Sequence, residues 1–248
     1  LFKNACSAVM EKPEGDESVS SFQALMVSTA SRVGTGNIVG VSSAICIGGV
    51  GSVFWMWIIA ILGSASALAE STLAQIYKKK GKDGQCYGGP AYYIEAALHS
   101  RGLAVVFCIA MILTYAFGFN MLASYNLQST FSGQPFYNAE ITPWIIGGIL
   151  ALVTGWCLLG GGNRIVKVTS TLVPFMGIVY ILISLLVVVL NIGQLPSVLA
   201  QIFEEAFDFK AIFAGFAGSA MMQGIRRGLY SNEAGIGSAP NAAASAMV

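Results

Sequence analysis

An apolar segment of membrane length, Phe22 to Gly48, carries Val33-Gly34-Thr35-Gly36-Asn37-Ile38 at its centre, and no other stretch restricts the fold so strongly. Each glycine weakens a helix by about 1 kcal/mol relative to alanine, and a carbonyl freed inside hydrocarbon must find a new partner. Two glycines, a hydroxyl and a side-chain amide in one turn therefore predict a helix that comes apart midway and offers backbone groups to a solute or ion. Gly36 and Gly40 also have the spacing of small-residue helix packing, but packing alone leaves Thr35 and Asn37 unexplained. A dinucleotide loop is excluded because the glycine spacing is wrong and no strand precedes it.

The rest of the chain supports a bilayer setting. Hydrophobic residues make up 55% and charged residues 10% of the 248 residues, against roughly 25% charge in a typical soluble domain. A formal net charge of +1 excludes the basic balance of a nucleic-acid binder. Cys6, Cys46, Cys86, Cys108 and Cys157 are scattered without metal-ligand or disulfide spacing, and they read as small hydrophobes. One histidine, no nucleophile elbow and no phosphate-binding glycine loop leave nothing for an enzyme or an organic cofactor. A channel is disfavoured, because no ring of like charges or continuous polar stripe recurs across the spans.

Six spans are expected in an all-α, multi-pass membrane protein. The first is Phe22 to Gly48, and Val53 to Tyr77 follows, roughly 36 Å long at helical rise. Pro90 opens a short amphipathic helix before a third span, Leu103 to about Tyr125. Pro143 to Leu159 is the fourth, the Gly160 to Arg164 loop follows, and Val168 to Leu190 is the fifth. An interfacial piece, Pro196 to Lys210, leads to a short sixth helix, Ala211 to Gln223, interrupted at Ala214 to Ser219 and ending at Arg226 and Arg227. Lys78 to Lys82, Arg101, Arg164, Lys167, Arg226 and Arg227 fall on one side, which the positive-inside rule makes cytoplasmic. Under that orientation the two glycine-broken helices run antiparallel. Phe54, Trp55 and Trp57 then sit at the outer mouth of the second span, as an aromatic belt does.

Interrupted helices in corresponding positions point to an inverted repeat with a binding site near the midplane. The expected division is a cytoplasmic lead-in over 1–21, a five-span first repeat over 22–191, and an interfacial helix with the start of the second repeat over 192–248. Opening on Leu1 and stopping within a helix-like string from Ala239 to Ala244, the chain is expected to be a piece of a longer protein.

Charges inside membrane segments are functional candidates because each costs about 2.5–3.5 kcal/mol at a helix centre. Arg32 and Glu70 lie at matched depth, so they are candidates for an inner-gate ion pair, with Arg32 snorkelling to the cytoplasmic surface as the alternative. Glu233, in Ser231-Asn232-Glu233-Ala234-Gly235, is a third gate candidate, or else a solvated loop partner of Arg226 and Arg227.

The strings FQALMVSTASRVGTGNIVGV, GGVGSVFWMWIIAILG, YGGPAYYIEAAL and GIRRGLYSNEAGIGSAPNAAASA, in that order, resemble the alanine or glycine:cation symporters, also called sodium:alanine symporters. The resemblance implies a leucine-transporter-like bundle with discontinuous helices in the cell membrane. It also implies symport of a small neutral amino acid, alanine or glycine, with sodium as the coupling ion. Carried onto this chain, it places substrate on Thr35, Gly36, Asn37, Phe216, Ala217 and Gly218, and the cation on Gly34, Asn37 and Ser219. Ser52 and Ala123 depart from the family pattern. At Ala123 an amide is expected, and Asn120 or Tyr125 is the nearby substitute. A proton-coupled or exchange transporter of another small amino acid, or an amino-acid-binding membrane protein that does not transport, are the other readings.

Overall fold

The computed structural model describes residues 9, 20–34, 36–81, 86–208 and 219–245. Helix α1 spans Ser21–Arg32. A π-helical turn over Gly36–Gly40 then opens α2, Val41–Gly48, and α3 runs Ser52–Ile76. Two short antiparallel strands follow, β1 (Lys79–Lys80) and β2 (Cys86–Tyr87). After them come α4 (Pro90–Leu98), α5 (Arg101–Ile112), a π-helical stretch Leu113–Phe119, α6 (Asn120–Ser129) and α7 (Thr142–Leu159). The 30-residue α8 (Gly161–Leu190), α9 (Leu195–Ala206), α10 (Ala220–Asn232) and α11 (Ser238–Ser245) complete the described fold.

Four helical stretches among the described residues are long and apolar enough to cross a bilayer: Ser52–Ile76, Arg101–Ser129, Thr142–Leu159 and Gly161–Leu190. Their large side chains point outward, with Leu152 76%, Leu159 91% and Leu190 74% exposed. Such surfaces are stable only in contact with lipid or other apolar helices. The protein is thus an all-helical, multi-pass membrane protein.

Three boundaries differ from expectation. The Gly160 to Arg164 segment is a single turn at Gly160, after which α8 begins at Gly161. Arg164 ends this turn by donating to the Trp156 carbonyl at 2.8 Å, with its guanidinium 4.8 Å from the Trp156 ring centroid. The third span contains a π-helical stretch near Gly118, and Asn120 Nδ2 takes the Ala116 carbonyl at 3.1 Å. The sixth helix does not stop at Gln223 or at the arginine pair. It carries Arg226 and Arg227 within its body and runs to Asn232, where Glu233 at φ +50 ends it.

The fold comprises two compact units, one of Leu1–Val27, Ala74–Thr171 and Asn241–Val248, the other of Ser28–Leu73 and Leu172–Pro240. Each takes segments from both sides of the expected repeat boundary at 191/192. In the first unit, Pro90 starts α4, Ser100 caps α5 by accepting from Leu103 N–H at 3.4 Å, and Gln75 donates to the Ala243 carbonyl.

In the second unit, α10 packs on both α2 and α3, and glycine dictates how. Along α2, a methyl group added at Gly48 would fall 2.9 Å from Gln223 Cβ, one at Gly40 would lie 4.0 Å from Arg227 Cδ, and one at Gly36 would meet the Tyr230 ring at 2.9 Å. Rising numbers on α10 match falling numbers on α2, so these helices are antiparallel. Along α3, Gly224 packs on Ser52 and Trp55, Gly228 on Met56 and Ile59, and Asn232 on Gly63. Both series rise together, so α10 is parallel to α3. These directions are what the positive-inside assignment requires.

The start of α3 is also clamped by α9. Trp55 Nε1 donates to the Ala206 carbonyl at 3.0 Å, and Gly51 N–H donates to Glu205 Oε2 at 3.3 Å. Phe54 meets Phe203 and Phe207 at 5.5 and 5.1 Å between ring centroids. Phe54 and Trp55 therefore serve a helix–helix joint instead of the lipid-facing belt expected of them, whereas Trp57 stays 43% exposed.

Candidate functional site

The break in the first apolar segment lies between Arg32 and Gly36. Helix α1 closes with Val33 N–H on the Thr29 carbonyl at 2.8 Å, and the chain restarts with Asn37 N–H on the Gly34 carbonyl at 3.1 Å, a tighter turn than an α-helix. Nothing lies within 4 Å of a methyl built at Gly34. The freed Arg32 carbonyl is not left bare, because Asn37 Nδ2 donates to it at 2.7 Å. This geometry explains the amide at that position: an unmet carbonyl in hydrocarbon costs several kcal/mol, roughly, and Asn37 meets it from five residues away.

The other end of the same amide reaches α10. Ser231 Oγ donates to Asn37 Oδ1, joining residues 194 apart in sequence. One helical turn earlier on α10, Arg227 Nη2 donates to Ser43 Oγ on α2 at 3.3 Å. Gln223, Arg227 and Ser231, four residues apart, thus form a polar stripe facing Gly48, Ser43 and Asn37. The neighbouring face of α10, with Gly224, Gly228 and Asn232, meets α3.

Below Asn232 the chain turns through two glycines at φ +85 (Gly235) and φ +97 (Gly237) before Ser238 starts α11. Glu233 is only 3% exposed and its Oε2 accepts from Ser238 Oγ at 2.7 Å, so it is a buried turn-closing residue and not a solvated loop charge. Ala234 packs 3.1 Å from a methyl built at Gly63, and Gly235 N–H bonds the Glu70 carboxylate two turns further along α3. Arg32 is near enough for its charge to act on that carboxylate. Yet three atoms shielded from solvent here, Arg32 Nε, Glu70 Oε2 and Asn232 Nδ2, have no hydrogen-bond partner.

The expected site residues are therefore distributed as follows. Gly34, Gly36 and Asn37 gather at the break, opposite the C-terminal end of α10, and the gate candidates Arg32, Glu70 and Glu233 lie around the same end. Ser219 instead caps the opposite end of α10, accepting from Met222 N–H at 3.3 Å. Twelve residues separate it from Ser231, about 18 Å along a helix, so Ser219 and Asn37 are not brought together. Thr35, Phe216, Ala217 and Gly218 lie outside the described residues. Ser231, Arg227 and Asn232 were missed by sequence reasoning, although the four-residue spacing of Gln223, Arg227 and Ser231 was a legible signal.

Known proteins resemble this chain over most of its length. The family model described as the sodium:alanine symporter family matches residues 1–248. YrbD of Bacillus subtilis, named as a proposed sodium/proton-dependent alanine carrier, is 48% identical over 231 residues, covering 93% of this chain and 46% of its own length. The amino-acid carrier protein AlsT of the same organism is 46% identical over 241 residues, covering 97% and 50%. The sodium/alanine symporter AgcS of Methanococcus maripaludis is 41% identical over 236 residues, covering 95% and 52%. The chain spans about half the length of the curated relatives it matches. The family and these relatives are named as symporters or carriers.

Proposed function

Because this chain belongs to the sodium:alanine symporter family, we propose that it forms the core of a carrier that couples inward movement of a small neutral amino acid, alanine or glycine, to sodium. The observation that carries this reading is the break at Arg32 to Gly36, where a helix ends inside an apolar segment against the end of an antiparallel helix. A helix C-terminus offers carbonyl oxygens to a cation, and the N-terminus of the following helix offers N–H groups to a carboxylate. One gap serves both charges of the pair.

In this reading Thr35, Gly36 and Asn37 hold substrate at the break, and Phe216, Ala217 and Gly218 are assigned to it by the family resemblance alone. Gly34 and Asn37 are the cation ligands at the break; Ser219, at the far end of α10, is not among them. Arg32, Glu70 and Glu233 gate the cytoplasmic side. Transport is by alternating access: ion and solute favour the state that binds both, and the inward sodium gradient supplies the free energy without ATP.

The test is uptake of labelled alanine by the full-length protein in proteoliposomes, with an inward sodium gradient or with choline in its place. Accumulation that requires sodium supports the reading, and equal uptake in choline refutes it. Proton coupling is the second reading. The name of YrbD includes it. Alanine accumulation in choline driven by an inward proton gradient would favour it.

A further inference from the structure

We infer that Ser231 is a positioning residue that competes with the coupling cation for the Asn37 side-chain oxygen, and so sets the sodium concentration at which the carrier works. The inference rests on the sodium-symport reading above and deepens it. Asn37 has one side-chain oxygen and one NH₂ group. Nδ2 is committed to the Arg32 carbonyl that the helix break frees, so the amide cannot flip without leaving that carbonyl unmet in a low-dielectric setting. Oδ1 therefore faces α10, where it accepts from Ser231 Oγ.

A cation needs that oxygen as a ligand, and its positive charge repels the hydroxyl proton aimed at the same lone pairs. Ser231 must release Asn37 before the ion seats. Release is local, because the Ser231 hydroxyl needs only a rotation about its Cβ, whereas Tyr230 beside it is wedged on Gly36. The hydrogen bond also ties the break to the end of α10, so cation entry removes one of the two side-chain bonds between them and leaves the other, Arg227 to Ser43, in place.

The experiment measures the sodium dependence of alanine uptake by the full-length carrier in proteoliposomes, with Ser231→Ala and Ser231→Thr. Ser231→Ala removes the competitor and is expected to lower the half-saturating sodium concentration about fivefold, the factor one neutral hydrogen bond is worth. The half-saturating alanine concentration at saturating sodium is expected to stay put. Ser231→Thr keeps the hydroxyl and is expected to behave as the unsubstituted protein. An unchanged or raised sodium requirement in Ser231→Ala overturns the proposal, the latter because Ser231 would then be a ligand itself. Independently, the thiol of Ser231→Cys is expected to react faster with a maleimide in sodium than in choline, and equal rates overturn it. If the unsubstituted protein shows no sodium dependence at all, the coupling reading fails first; if it does and Ser231→Ala changes nothing, only the competition fails.

Discussion

Gly224→Ala probes the packing of α10 on α3 at its tightest contact with backbone. A methyl group there would lie 2.6 Å from Trp55 Cβ and closer still to the Ser52 carbonyl oxygen. Ordinary contact begins near 3.4 Å, so the helices must part by about 1 Å at the Ser52 oxygen, and a backbone oxygen cannot rotate away as a side chain does. Separation is resisted on two sides: α10 is bonded to α2 through Arg227 and Ser231, and the start of α3 is clamped by Trp55 and Gly51 to α9. Overpacking of this kind costs about 1–3 kcal/mol, offset by about 0.5–1 kcal/mol from replacing a helical glycine. The net is about 1 kcal/mol of destabilisation, or roughly a 2–4 °C fall in apparent melting temperature for a chain of this size. Gly228→Ala is the internal comparison, since its methyl would meet Ile59 at 3.1 Å and Met56 Cα at 3.3 Å, shortfalls of a few tenths of an ångström that a small shift of the neighbours absorbs. Its overpacking and propensity terms cancel to about zero. Both variants are compared by thermal size-exclusion of the detergent-solubilised protein. A Gly224→Ala protein as stable as Gly228→Ala would refute the parallel register of α10 on α3.

Asn37→Leu leaves the Arg32 carbonyl without its donor and removes the proposed cation ligand, so alanine uptake is expected to vanish in protein that still inserts; retained uptake removes Asn37 from the site. Reversing Arg32 to Glu or Glu70 to Arg alone is expected to abolish transport, and combining the two reversals is expected to restore part of it, measured as initial uptake rate; no rescue counts against a functional pairing. Trp55→Phe deletes the indole donor to the Ala206 carbonyl while keeping an aromatic face toward Phe207, and is expected to cost about 1 kcal/mol, seen as a few degrees in the same thermal assay.

The break itself was legible because its cause is local. Gly34, Gly36 and Asn37 weaken a helix wherever they stand, and α1 does end at Arg32. The four long spans were legible for the same kind of reason, since length and apolarity are properties of a segment alone. The end of α10 was not. Arg226 and Arg227 read as a cytoplasmic loop because charge is expensive in lipid, but Ser43 takes one guanidinium on a helix face that sequence leaves undefined. For Glu233 the solvated-loop alternative fails for a related reason: its partner, Ser238, lies across a turn that Gly235 and Gly237 at positive φ form.

By itself the sequence determined that the protein crosses a bilayer several times, which way its helices run, and where the first of them must come apart. Those properties follow from hydropathy, charge asymmetry and glycine placement, each of which acts over one turn or one span. Only the tertiary structure decided what the break faces. That choice depends on the register between α2, α3 and α10, which is set by how closely Gly36, Gly48, Gly224 and Gly228 let backbones approach. A shift of one residue along α10 would turn Ser231 away from Asn37 by roughly 100°, and the amide that closes the break would lose its second partner.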